Sequence, residues 1–274
     1  MAALLDRHAG ILLDAYGVLV DGSGPLPGAL ELLGHLEARA IPYAIVTNDA
    51  SRSPATYEAR FAALGLRVPP ERFVTSGSLL PGFFRERELS GARTCVLGTP
   101  DSEAYVRDGG GVVVPVERGM TIDAVAVCDD SGTPFLHGIE LAFSAIARAI
   151  DDGRRPVLVL PNPDLVYPKG GGEYGFTAGS MALLIEAALA RRFPTAGLVF
   201  EWLGKPGPAL FTEAARRLGI APARLVMIGD QLETDIAGAS AAGIPACLTA
   251  GVSRWDASVP SPAVPTYLLP DLHL

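Results

Sequence analysis

Cysteine is scarce in this 274-residue chain: Cys95, Cys128 and Cys247 lie far apart and show no CxxC spacing. An odd number of thiols in apolar, strand-like surroundings argues against a disulfide framework and fits buried side chains in a reducing compartment. Positive charge is short as well. Lysine and arginine number 22 against 30 acidic residues, for a net charge of −8, and no basic tract interrupts the pattern. Nucleic acid and anionic membranes are therefore excluded as main partners. No apolar run reaches the length of a membrane span, and Met1 to Arg7 lacks a basic region leading into a long apolar stretch, so a cytoplasmic protein is expected. Repeats and low-complexity tracts are absent too.

What is present is apolar bulk. Hydrophobic residues make up 49% of the chain and charged ones 19%, which excludes disorder and describes a well-buried globular protein. The length is long for one core and comfortable for two domains, interleaved or in series.

The stretch Gly10 to Gly22 sets the organisation. An apolar run of strand length, Ile11-Leu12-Leu13, ends in Asp14, and Gly17 lets the backbone turn. Asp14 either caps a turn or stands at the carboxyl end of a buried parallel strand, where open α/β sheets collect their ligands. A helix over Pro27 to Ala40 leads to a second strand, Pro42 to Asn48, ending in polar groups, and this β-α-β unit brings both strand ends to one sheet edge. Helix 53–65 and a short strand 72–76 follow. A second α/β series then runs through helix 78–89, strand 94–98, helix 101–107, strands 111–116 and 123–128, helix 140–152, strand 156–161 and helix 179–192, with His137 in a turn. Residues 162–173, rich in glycine and proline, read as a loop. The chain returns through strand 198–201, the turn Gly204-Lys205-Pro206-Gly207-Pro208, a helix to Leu218, strand Leu225 to Ile228 ending in Gly229-Asp230, a helix from Thr234 and strand 244–249. The proline-rich tail from Trp255 reads as extended surface chain.

Asp14, Thr47-Asn48, Lys205 and Asp230 with Asp235 all follow or adjoin apolar strand-like runs, so a parallel sheet gathers them at one edge. Taken singly, Thr47 and Asn48 also suit a helix cap, Lys205 a solvated turn, and Asp235 a first helical turn. Together, three carboxylates resist joint ionisation and call for a cation, and an all-oxygen set suits Mg²⁺. The lysine and hydroxyl then face an anion; a phosphoryl group fits, with Asp14 as nucleophile.

Asp14-Ala15-Tyr16-Gly17-Val18, Val46-Thr47-Asn48, Gly204-Lys205-Pro206 and Gly229-Asp230 with Asp235 resemble, in order and spacing, the four motifs of the haloacid dehalogenase superfamily. The 157 residues between Thr47 and Lys205 lie where that family's C2-type caps are inserted, and Thr-Asn, Asn162-Pro163-Asp164 and Gly-Lys-Pro look like subfamily IIA, the p-nitrophenyl phosphatase and nucleotide phosphatase group. The resemblance implies an α/β fold: a Rossmann-like core with a mostly parallel sheet over 1–78 and 197–274, and an α/β cap over 79–196. It implies a Mg²⁺-dependent hydrolase of small phosphorylated metabolites working through an aspartyl-phosphate. Asp14 is then nucleophile and metal ligand, the Tyr16 carbonyl a metal ligand, Thr47 and Asn48 phosphate contacts, Lys205 the charge clamp, Asp230 a metal ligand and Asp235 its metal-side support. The cap would shield the site, with Asn162, Asp164 and loop 170–175 reading the substrate, and a homodimer through the cap is compatible with it.

One position departs from the pattern. The family's phosphatases carry a second aspartate two residues after the nucleophile as general acid and base, and this chain has Tyr16 there. A protonated phenol is a poor base, and such help is worth about 10² to 10⁴-fold, so hydrolysis is expected to be weak or restricted to good leaving groups. Two alternatives follow: an impaired protein that binds a phosphorylated ligand, and a 2-haloacid dehalogenase, which also carries tyrosine here. Against the latter, those enzymes insert their cap between the first two motifs, and Asp230 with Asp235 keeps the metal pattern.

Overall fold

The structure, a computed structural model, describes residues 1–170, 173–261 and 263–274. Contacts divide these into two units. The first comprises Met1–Thr47, Pro54–Thr75 and Lys205–Leu274; the second comprises Asn48–Ser53 and Ser76–Gly204.

The first unit is built on a six-stranded sheet in the order Tyr267–Leu269, Ala246–Thr249, Leu225–Gly229, Gly10–Leu13, Tyr43–Thr47, Phe73–Thr75. Every pairing is parallel. The Gly10–Leu13 and Leu225–Gly229 strands are buried along their whole length, which is why they read as continuous apolar runs and not as alternating ones. One crossover helix, Ala29–Ala38, joins the first two strands and packs Leu32, Leu33 and Leu36 into the core. Helix Pro54–Ala63 is fastened by an aromatic trio: Tyr57 stacks on Phe73 at 5.0 Å and Phe61 meets Phe73 edge-on at 5.2 Å.

The second unit has its own parallel sheet, ordered Glu201–Trp202, Val157–Leu160, Ala124–Val127, Arg93–Leu97, Val112–Val114. Helices Phe135–Asp151 and Ala178–Arg192 cover it with Ile139, Ala142, Ile146, Met181 and Ile185.

The α/β class and the parallel sheets match the expectation; several local readings do not. His137 lies in the first turn of helix Phe135–Asp151, not in a turn between elements, because Pro134 serves as the start and Phe135 and Ile139 fall at helical spacing. The expected loop over 162–173 holds instead the strand Val166–Gly170, which pairs antiparallel with Glu173–Phe176. Glycine and proline content suggested irregular chain where the described residues pair as two short strands. Of the loop 170–175, Gly171 and Gly172 lie outside the described residues. The expected strand 198–201 is realised as Glu201–Trp202 and pairs with Val157–Leu160 in the second sheet. The tail contributes the edge strand Tyr267–Leu269, and the helix expected from Thr234 is a π-turn, Leu232–Ile236, followed by a short α-helix, Ala237–Ala241. No helix among the described residues is long and apolar enough to cross a membrane.

Candidate active site

In the first unit, Asp14 follows directly on its strand and Asp230 on the neighbouring parallel strand, in register as Leu13 against Ile228. Both carboxylates thus leave the same edge of the sheet. Two glycines make room for this. Gly17, with φ of 85°, lies where any β-carbon would run into the Asp230 carboxylate, and one at Gly229 would run into Asp235. Asp235 is delivered by the π-turn, whose amides of Asp235 and Ile236 both bond back to the Gln231 carbonyl. Such turns recur at functional sites because they re-aim a side chain.

Lys205 joins the carboxylates. Its Nζ lies 2.7 Å from Asp14 Oδ1 and 2.6 Å from Asp235 Oδ1, and also donates to the Val46 carbonyl at 3.3 Å. The side-chain cluster is almost dry: Asp14 is 5% exposed, Lys205 3%, Asp230 and Asp235 0%. Lys205 is therefore not a solvated turn lysine, nor Asp235 a solvated helix carboxylate.

The oxygens differ in what they do. Asp235 Oδ2 accepts from the amides of Asp230 and Gln231 at 3.1 and 3.2 Å, so both its oxygens are engaged in holding Lys205 and the turn. Asp230 Oδ2 accepts from the Val252 amide at 3.0 Å, while its Oδ1 is buried with no hydrogen-bond partner among the described residues. A buried, unpaired carboxylate oxygen is costly.

Three carboxylates against one ammonium leave an excess of negative charge in a buried place. Burial first, and the Asp235 and Asp230 charges after it, push the Asp14 pKa well up against the pull of Lys205. Burial and Asp235 raise Asp230 to about 6. Burial works against the charge on Lys205, but Asp14 and then Asp235 outweigh it and hold its pKa up, so the ammonium persists. Asp14, Asp230 and Asp235 each offer an oxygen within 4.8 Å of the others'. An all-oxygen set with an orphaned, dry oxygen and surplus negative charge fits a hard divalent cation such as Mg²⁺.

Thr47 is the last residue of its strand and is buried, and Asn48 follows it at the head of the second unit's short first segment. Within that unit Asn48 Nδ2 donates to Asp164 Oδ1 at 3.0 Å, and the Asp164 amide donates to Asn162 Oδ1 at 3.0 Å. Two of the expected substrate readers are therefore occupied with each other and with Asn48. Tyr16 is half-buried, and its hydroxyl accepts from Arg60 Nη2 at 3.2 Å, the guanidinium carbon 5.6 Å from the ring centre. Sequence reasoning missed Arg60, because 44 residues separate it from Tyr16 and nothing in that spacing signals contact. It also missed the Val252 amide, for which Gly251 was the available cue: a β-carbon there would press on Asp230.

Two family models match the chain, haloacid dehalogenase-like hydrolase over residues 11–111 and HAD-hydrolase-like over 202–273. D-glycerol 3-phosphate phosphatase of Mycobacterium tuberculosis is 32% identical over 280 residues, an alignment spanning 100% of this chain and 72% of that one. Human chronophin is 30% identical, over 92% of this chain and 85% of its own length. Among solved structures, a possible sugar phosphatase of the HAD superfamily from Cytophaga hutchinsonii superposes with a TM-score of 0.86 at 27% identity, covering 100% of this chain and 97% of that one. The magnesium complex of the M. tuberculosis glycerol phosphate phosphatase gives 0.82 at 30% identity, over 98% and 76%. With its motifs, its fold and a relative at this identity across its whole length, the chain belongs to the haloacid dehalogenase-like hydrolases.

Proposed function

We propose that the protein is a Mg²⁺-dependent phosphatase of small phosphorylated metabolites, working through an aspartyl-phosphate on Asp14. The observation that carries this reading is the Asp14 carboxylate at its strand end, held through Oδ1 by Lys205 at 2.7 Å and gathered with Asp230 and Asp235 within 4.8 Å. A nucleophile needs a fixed orientation. The relatives named for glycerol phosphate and, in Corynebacterium glutamicum, dihydroxyacetone phosphate support three-carbon or sugar phosphates as the class.

Asp14, Asp230 and the Tyr16 carbonyl, with Asp235 behind them, would hold the ion, which when bound neutralises the carboxylates and the charge on the transferring phosphoryl group. Asp14 attacks phosphorus, the bond to the leaving oxygen breaks, and that oxygen takes the electron pair. Thr47 and Asn48 donate to the phosphoryl oxygens, and the Lys205 ammonium balances their charge. Water then attacks phosphorus, releasing phosphate and restoring the Asp14 carboxylate. The leaving oxygen needs a proton, and the residue in that position is Tyr16, whose hydroxyl is engaged by Arg60. A phenol in place of a carboxyl group is a poor base at neutral pH, which supports an enzyme restricted to leaving groups that depart unaided, and favours a second reading in which a phosphorylated ligand is bound and turned over slowly or not at all. Three buried, unbridged cysteines support a cytoplasmic setting.

The test is a phosphatase panel with and without Mg²⁺, spanning aryl and acyl phosphates, sugar phosphates, three-carbon phosphates and nucleotides. Mg²⁺-dependent turnover lost in Asp14→Asn is the expected result; turnover retained in that variant would sink the assignment. Micromolar phosphate-ester binding without turnover favours the second reading.

A further inference from the structure

The six residues Asn48 to Ser53, between the second strand and helix Pro54–Ala63, are bound one carbonyl at a time. Within the second unit, Ser76 Oγ donates to the Asn48 carbonyl at 2.6 Å, the Gly77 amide to Asp49 at 3.4 Å, Ser102 Oγ to Ala50 at 2.8 Å, Thr99 Oγ1 to Ser51 at 2.6 Å and the Tyr105 hydroxyl to Arg52 at 2.9 Å. The Ser53 amide donates to Asp101 Oδ2 at 2.8 Å. Connecting loops ordinarily leave such carbonyls to water. Here five in succession have protein donors, and the Ala50 side chain is buried among Leu80, Phe84 and Tyr105.

The donors are themselves committed. A hydroxyl has one proton to give and two lone pairs to receive with. Thr99 and Ser102 form the capping box of helix Pro100–Asp108, in which each hydroxyl receives a backbone amide, Ser102 N to Thr99 Oγ1 and Thr99 N to Ser102 Oγ. Their acceptor capacity serves the helix and their protons serve the loop. Tyr105 approaches because residue 77 is glycine; a β-carbon there would strike its ring. The Asn48 side chain is set separately. Its Nδ2 is held by Asp164, whose carbonyl receives Thr177 Oγ1 and, at 3.1 Å, the Gly179 amide, while its Oδ1 sits where a β-carbon on Gly204 would lie.

We propose that Thr99, Ser102, Tyr105 and Asp164 are positioning residues for Asn48, fixing the loop and the amide before a phosphoryl group arrives. This rests on the reading of Asn48 as a phosphate contact. Preorganised donors aid the transition state because they need not reorient during reaction.

The test uses the full chain with Mg²⁺ and p-nitrophenyl phosphate, with inorganic phosphate as competing ligand. Ser102→Ala/Tyr105→Phe is expected to lower kcat/KM and phosphate affinity about 10-fold, and to raise hydrogen exchange at 48–53 while the second sheet stays protected; Tyr105→Phe alone gives a smaller effect should the pair fold poorly. Thr99→Ser, which keeps the hydroxyl, behaves as wild type. In an Asn48→Ala background the same changes cost nothing further. Unchanged exchange in the loop overturns the proposal, as do losses that persist in full without the Asn48 amide. Asn48→Ala with wild-type kinetics and phosphate affinity overturns the phosphate-contact reading itself, a result separate from the loop's exchange behaviour.

Discussion

The two parallel sheets of this molecule use acidic residues in opposite ways. At the carboxyl end of the first, Asp14 and Asp230 are buried with Asp235 around one lysine, and an Asp230 oxygen is left orphaned. Beyond the strands of the second, Asp129, Asp164 and Asn162 are half-buried, and Asp129 and Asn162 bond amides two residues onward, those of Ser131 and Asp164, as such residues do in ordinary turns. Similar strands, helices and connections thus end in a buried charge cluster at one sheet and in turn formation at the other. What separates them is charge that is dehydrated without enough partners, which folding alone would not favour.

The sharpest break of that contrast is at the proposed nucleophile. Asp14→Asn should lower turnover of an aryl phosphate by at least ~10⁴-fold with circular dichroism unchanged, whereas Asp129→Asn should leave turnover intact and stability within about 0.5 kcal/mol. Next is the buried ion pair. Lys205→Met leaves carboxylates unbalanced and should cost about 3–5 kcal/mol in a denaturant titration without metal, with Mg²⁺ recovering part of it. For the wild type, removing Mg²⁺ from 100 times its Kd should lower stability by about 2.7 kcal/mol, and a metal-independent melting temperature would count against the site. Tyr16→Asp should raise turnover of alkyl phosphates about 10²-fold relative to aryl ones; no change in that ratio would mean that the leaving group finds its proton elsewhere.

The smallest effect belongs to an ion-paired glutamate on helix Ala209–Leu218. Glu213, bonded chiefly by Arg216 and then by Arg217 against a little burial, has its pKa lowered to about 2. A depressed folded-state value means that this stabilisation is present above the ordinary glutamate range and is lost as pH falls from there through about 2. With Arg216 largely exposed, about 0.5 kcal/mol is at stake, read as the difference between wild type and Glu213→Gln in acid titrations.

The contrast also explains which features could be read in advance. Asp14, Thr47 and Asp230 were legible because each ends a continuous apolar run, and Lys205 because glycine and prolines frame it. Tyr267–Leu269 was not, since three residues at a sheet edge, one of them exposed, carry no run and follow a proline-rich stretch. The π-turn at Leu232–Ile236 was taken for α-helix because the two share a start signal and differ only in where the amides bond back. The Tyr16–Arg60 contact and the carbonyls of 48–52 depend on partners tens of residues away, beyond any local pattern.

The loop bound by Ser76, Thr99, Ser102 and Tyr105 has a consequence for how such proteins can be recombined. The second unit is not one contiguous insert, since it owns Asn48–Ser53 as well as Ser76–Gly204. A chimera that exchanged only 76–204 between relatives would pair one parent's loop with another parent's donors, and its register of hydroxyls to carbonyls would be left to chance. The portable module is the two segments together, and sequence variation at 48–53 should travel with variation at 99, 102 and 105.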